Sequence, residues 1–164
     1  MNKLVILRGP SGSGKSSVAK ELREGSKNKV AIIDQDYLRR IVLKEKDLPN
    51  SINPKLILRV SQFALDNGYN VIVEGILYSA HYGAMFDELL KYHPKENYVY
   101  YFDISLGETL KRHITRDKFS EFGEKEMRQW YVDKDLLGTR DESIISESLS
   151  KGQIVKRILR ETGL

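Results

Sequence analysis

Short apolar runs alternate along the chain with stretches whose apolar residues recur at helical spacing. Lys3 to Leu7 reads as a first strand. Lys15 to Glu24 follows as a helix with Val18, Ala19 and Leu22 on one face and Gly25 as its stop. Val30 to Ile33 is a short second strand. Asp36 to Leu43 has Tyr37, Leu38, Ile41 and Val42 at helical spacing, and Lys46 to Pro54 is punctuated by proline and asparagine and reads as a loop. Pro54 suits the first position of a helix to which Leu56, Val60, Phe63 and Ala64 give an apolar face and which ends at Gly68. Val71 to Val73 is a third strand and Ser79 to Lys91 a helix. Tyr98 to Phe102 is a fourth strand, apolar on both faces as a buried parallel strand is. Ser105 and Glu108 form the pattern of a capping box for a helix reaching about Arg116. Asp117 to Gly123 reads as a mobile loop, Glu124 to Leu136 as a helix, Ser143 to Ser146 as a short fifth strand and Leu149 to Arg160 as a closing helix. Strands separated by helices predict a parallel α/β sheet with crossover connections.

The first strand runs into Gly9-Pro10-Ser11-Gly12-Ser13-Gly14-Lys15-Ser16, which fits the Walker A or P-loop pattern G-x-x-x-x-G-K-[ST] in its required setting between strand and helix. Gly9, Gly12 and Gly14 free the backbone for left-handed turns and close approach to a ligand. Successive amides then form an anion nest, and the helix from Lys15 adds its positive end. In this motif the lysine, here Lys15, reaches the β- and γ-phosphates, and the hydroxyl, here Ser16, ligates Mg²⁺. Nucleotide is expected on Gly9, Ser11, Gly12, Ser13, Gly14, Lys15, Ser16 and Ser17.

Composition narrows the remaining classes. The 164 residues include no cysteine, which removes disulfides, zinc–thiolate sites and cysteine nucleophiles. No repeat, linker or low-complexity tract divides the chain, so one domain over residues 1–164 is expected. The opening apolar run is too short for a signal core or a membrane span, and a cytoplasmic protein without membrane contact is expected. The net charge of +4 comes from dispersed basic residues without an RNA- or DNA-binding signature, so nucleic acid is not the expected partner. The histidines His81, His93 and His113 lack metal spacing.

In such a sheet, ligands collect beyond the carboxyl ends of the strands. Asp34 and Asp36 follow the second strand, Glu74 the third, and Asp103 the fourth. Asp36 is the candidate general base or orienting group for an acceptor hydroxyl; the alternative is the N-cap of the following helix. Asp34 is the second candidate base, or a holder of Mg²⁺ through water. Glu74 either aligns metal-bound water, contacts the acceptor, or pairs with an arginine at a strand end. Arg112 and Arg116 share a helix face just before the predicted loop, and Arg128 follows on the next helix. These arginines either close over the nucleotide as a lid, at about residues 113–128, or form a solvated surface. Arg39 and Arg40, one turn past Asp36, either grip an anionic acceptor or face solvent. Trp130 and Tyr131 read as packing, with a stacking platform as the alternative. Asp135-Leu136-Leu137-Gly138 has the form of a GTPase D-x-x-G but stands too late in the chain, and no N-K-x-D string accompanies it.

The chain resembles the small P-loop kinases that include zeta toxins, chloramphenicol phosphotransferase, polynucleotide kinase and gluconate kinase. Four stretches carry the resemblance: the P-loop, Ile33-Asp34-Gln35-Asp36, Val71-Ile72-Val73-Glu74-Gly75, and Tyr101-Phe102-Asp103-Ile104-Ser105 with Arg112 and Arg116 behind. The resemblance implies a three-layer P-loop NTPase fold, with a five-stranded parallel sheet between helices and a lid. It makes Asp36 the base, gives Glu74 a magnesium or substrate role, and gives Arg116 and Arg128 a lid role. It implies adenine near residues 146–151. The expected activity is ATP- and Mg²⁺-dependent transfer of a phosphoryl group to a hydroxyl of a small molecule, with residues 37–59 shaping the acceptor side. The alternatives are a nucleoside, nucleotide or nucleic-acid 5′-end kinase, and a nucleotide-binding switch without catalysis.

Overall fold

Alternate residues of β1 (Leu4–Arg8) feed two separate cores, because successive side chains of a strand point to opposite faces. Leu4 and Ile6 pack toward one face, with α3 (Asn53–Asp66) and α4 (Ser79–Tyr92). Val5 and Leu7 pack toward the other, with α1 (Lys15–Gly25) and α7 (Lys151–Thr162). The computed structural model describes residues 1–114, 122–138 and 142–164. Within them, β2 (Val30–Asp34), β3 (Asn70–Gly75), β4 (Asn97–Asp103) and β5 (Glu142–Ser146) join β1 in a sheet of order β2-β3-β1-β4-β5, parallel throughout. This is the three-layer α/β architecture of a P-loop NTPase, as the alternation of elements predicts.

The register places chemistry at one end of the sheet. Asp34 pairs with Glu74, Glu74 with Leu7, and Arg8 with Gly75. The ends of β2 and β3 thus lie beside the strand that opens into the P-loop.

Several local expectations change in the structure. The helix expected over 36–43 starts one residue earlier, as a single α-turn, α2 (Gln35–Tyr37), followed by a wider π-turn over Leu38–Val42. Asp34 rather than Asp36 is its cap, accepting from the Tyr37 amide at 3.0 Å. The box at α5 (Leu106–Ile114) is half formed. Ser105 Oγ accepts from the Glu108 amide, but the Glu108 carboxylate turns to Arg112, and Glu147 accepts from the Ser105 amide instead. The helix expected over 124–136 stops early, as α6 (Glu124–Trp130), and Tyr131 is extended. Tertiary bonds draw the following chain away from a helical path: Tyr131 Oη donates to Ile104 O and the Asp135 amide to Tyr101 Oη. Residues 115–121 and 139–141 lie outside the description, and with them Arg116 and most of the expected loop over 117–123.

Two buried polar hubs fix the ends of the strands. The first is Arg8, wholly buried at the end of β1. Its guanidinium donates to Asp135 Oδ2 at 2.9 Å, Glu142 Oε1 at 2.8 Å and Leu77 O at 3.1 Å. Asp135 also accepts from the Ser79 amide and hydroxyl. The D-x-x-G aspartate is therefore a counter-ion that ties residues 131–138 to β1, α4 and β5. A buried cation needs such partners, since the desolvation cost of leaving it unpaired is several kcal/mol.

The second hub holds the turn after β2. Gln35, between two aspartates, is almost fully buried. Its Nε2 donates to Tyr82 Oη at 2.9 Å and to Asp47 at 3.3 Å, while Asn53 Nδ2 donates to Tyr82 Oη at 3.1 Å. Gly75 makes room for it: a Cβ there would stand 2.6 Å from Gln35 Cβ. Burial, reinforced by the Asp47 charge, pushes the Tyr82 hydroxyl up to about 12, so it stays neutral and serves both donors.

Each hub generates a stability prediction. Asp135→Ala should lower the unfolding free energy by about 3 kcal/mol, because Arg8 loses one of its two charged partners while remaining buried. Urea denaturation measures this, and a change below ~1 kcal/mol would contradict a charge-holding role for Asp135. Tyr82→Phe removes the acceptor shared by Gln35 and Asn53 and should cost roughly 1–3 kcal/mol in the same measurement.

Candidate functional site

The P-loop passes from β1 to α1 through residues that need glycine. Gly12 sits at φ 81°, and a Cβ there would come within 2.9 Å of Thr109 O, so the loop lies directly against α5. Gly9, at φ 140°, is pressed equally closely on Phe102. α1 begins at Lys15 with no side-chain cap and no acidic residue in its first turn, which leaves a positive helix end facing the loop. Lys15 is buried and spans the loop, donating to Pro10 O at 2.8 Å and Ser13 Oγ at 3.0 Å. Ser13 is buried under the lysine, and Ser17 is exposed on α1.

A narrow cleft of about 70 Å³ adjoins this loop. Ser11, Gly12, Lys15 and Ser16 line one side, and Asp34, Asp36 and Glu74 the other. Residues from three different strand ends, far apart in the chain, thereby meet. Glu74 is buried near the carboxyl end of β3, and Asp34 is partly covered by its capping role. Asp36 is held by both arginines that follow it, Arg39 Nη2 to Oδ1 at 2.6 Å and Arg40 Nη1 to Oδ2 at 3.3 Å. The π-turn brings both guanidinium groups back to one carboxylate. Arg39 also donates to Glu45 O at 3.1 Å.

The other arginines occupy different settings. Arg112 donates to Glu108 and reaches the P-loop at Ser13 O, 3.3 Å away. Arg128 stands on the exposed face of α6, paired with Glu124 at 2.6 Å. Arg116 lies outside the described residues. The segment at 147–150 lies beside Ser105 through Glu147.

The oxygen set fits a divalent cation of the Mg²⁺ type. The Ser16 hydroxyl shares the cleft with the carboxylates of Asp34, Asp36 and Glu74, and among the described residues no cluster of three or more His, Cys, Asp or Glu could hold a metal by itself. Mg²⁺ takes few protein oxygens and completes its shell with water and phosphate. Ser16, Asp34 and Glu74 are the residues that would hold it.

Two features escaped the sequence reading. Phe122 and Trp130 form an aromatic wall of the cleft, with ring centroids 5.0 Å apart, and Phe122 stacks on His113 at 4.7 Å. Trp130 therefore faces ligand space as well as packing. The Gln35–Tyr82–Asn53–Asp47 hub was also missed, although the residue between two aspartates at a strand end carried a signal. Its side chain is almost fully buried, at 2% exposure.

Comparison with known proteins places the chain. A family model described as AAA domain matches residues 4–131. No curated protein matches in sequence. Among solved structures, the APS kinase of Mycobacterium tuberculosis in complex with AMPPNP and APS is similar at TM-score 0.71 and 20% identity, over 97% of this chain and 96% of that one. A gluconokinase from Sinorhizobium meliloti 1021 is similar at TM-score 0.69 and 17% identity, over 98% and 91%. The Deinococcus radiodurans tunicamycin resistance protein gives 0.69 and 16%, over 99% and 97%. With a phosphate loop, a 2-3-1-4-5 parallel sheet and a match over most of its length, the chain belongs to the AAA domain family and has the fold of the small P-loop kinases.

Proposed function

We propose that the protein transfers the γ-phosphoryl group of ATP to a hydroxyl of a small-molecule acceptor, in a Mg²⁺-dependent reaction. One observation carries the reading: Lys15 and Ser16 of the P-loop share a single cleft with Asp36, Asp34 and Glu74. A phosphate-binding lysine and a carboxylate able to take a hydroxyl proton are the two groups phosphoryl transfer needs close together.

In this reading the loop amides and the end of α1 hold the triphosphate, and Lys15 leaves Pro10 O and Ser13 Oγ to meet the β- and γ-phosphates. Mg²⁺, which Ser16, Asp34 and Glu74 would hold, would supply charge neutralisation. Asp36 Oδ accepts the proton of the acceptor hydroxyl while the acceptor oxygen bonds to phosphorus. The bond from phosphorus to the β,γ-bridging oxygen breaks, and ADP leaves. Arg39 and Arg40 fix the orientation of Asp36, and Arg112, already on the P-loop, neutralises developing charge with Arg116. Among the described residues no helix is long and apolar enough to cross a membrane.

Two substitutions test the reading. Lys15→Ala should keep the circular dichroism of the wild type and lose acceptor-dependent release of ADP; retained turnover would refute the site. Asp36→Asn should leave ATP half-saturation within about twofold while kcat falls by ~10²-fold or more, the range expected for loss of a positioned base. An unchanged kcat would reduce Asp36 to a partner of Arg39 and Arg40.

A further inference from the structure

Adjoining the cleft, a second and much larger cavity of about 660 Å³ opens. Its volume is that of a small-molecule site. It shares Ile76 and Trp130 with the phosphate cleft, and Arg39 joins the two, lining the cavity while its guanidinium holds Asp36. A molecule seated in the cavity would therefore reach Asp36 with one end.

The walls are unequal in chemistry. Leu48, Ile76, Tyr78, Trp130 and Val132 make up the apolar part. Leu48 is 56% exposed and Val132 47%, so apolar surface remains open to water at the mouth. Two rings are held firmly. Tyr78 Oη donates to Trp130 O at 2.6 Å, and the Tyr78 ring meets His81 edge-on at 5.5 Å. Polar groups gather at one edge, where His81 Nδ1 lies 3.0 Å from Asp47 and Lys46 stands beside them.

Resting on the phosphotransferase reading, the geometry points to an acceptor alcohol with a planar aromatic or heteroaromatic body. The ring packs among Tyr78, Trp130, Leu48 and Val132. Its hydrogen-bonding edge meets Asp47, His81 and Lys46, and its hydroxyl arm passes Arg39 to Asp36. Aromatic faces favour such a ring by stacking and by burying apolar area. A linear polyol acid fits poorly. Its hydroxyls would lose water against Trp130, Leu48 and Val132, and only those reaching the polar edge at Lys46, Asp47 and His81 would regain partners. The cavity thus separates this chain in acceptor class from a gluconate-type kinase, whatever the shared fold.

Trp130 is the only tryptophan of the chain and lines both spaces, so with the nucleotide site saturated its further fluorescence change reports this cavity. The test titrates the full protein, with the nucleotide site saturated by Mg–AMPPNP, using adenosine, uridine, phenyl β-D-glucoside and D-gluconate. Parallel assays with labelled ATP follow phosphate transfer to each. At least one ring-bearing probe should quench Trp130 saturably, at a concentration about tenfold or more below that for D-gluconate, and should accept label. Preference for the nucleosides or for the phenyl glucoside tells heteroaromatic from plain aromatic bodies. Leu48→Asp, at the exposed mouth, should weaken ring binding about tenfold and leave ATP half-saturation unchanged. Tighter binding or labelling of D-gluconate, or no saturable quenching by any ring probe at millimolar concentration, overturns the inference and leaves the kinase reading standing. Ring binding without label transfer to any probe upholds the cavity assignment and counts against phosphotransfer.

Discussion

The structure depends on the parallel register of three neighbouring strands, β2, β3 and β1. Backbone pairing aligns Asp34 with Glu74 and Glu74 with Leu7, two residues before the P-loop opens at Gly9. No side-chain contact is needed to bring these groups together; the ladder does it. A slip of one residue would reverse every side chain on a strand, sending Glu74 to the opposite face and moving Val71 and Val73 out of the core they fit. Both faces of β1 and β3 are buried in separate cores, which makes such a slip costly. The hydrophobic effect, acting on two layers of helices, thus sets the spacing of the polar groups.

Around that register the protein invests its buried polar bonds at two places, and both serve the site. Arg8 binds the segment following α6 to the base of the P-loop, so Trp130 is anchored from its carboxyl side. The Gln35–Tyr82–Asn53 hub secures the opposite flank and leaves the aspartates on either side of Gln35 directed to the cleft. Networks of this kind specify one arrangement because any half-broken state strands a buried donor or charge. The acceptor-side segment is attached to the same hub through Asp47, which joins the large cavity to the turn carrying Asp36.

Much of this was legible in the sequence. The strand–glycine–helix setting of Gly9 to Ser16 located the phosphate loop, and the alternation of runs located every strand of the sheet to within two residues at either end. The meeting of Asp34, Asp36 and Glu74 followed from their positions at strand ends. What the sequence hid were contacts made by tertiary structure. Helical spacing through Glu124 to Leu136 could not reveal that Asp135 is claimed by Arg8, which ends the helix early. Arg39 and Arg40 carried charge suited to an anion, yet a π-turn, invisible to spacing rules, folds them onto Asp36. Trp130 looked like core because size and apolarity do not distinguish a packed ring from one that walls a cavity.

The measurement that bears most directly on the central claim is calorimetric titration of the protein with Mg–ATP and, separately, with AMP. A loop that grips the terminal phosphates predicts saturable heat with Mg–ATP and binding of AMP at least about tenfold weaker, since AMP offers nothing to Lys15 beyond its single phosphate. Equal affinity for the two, or no heat with Mg–ATP, would contradict it.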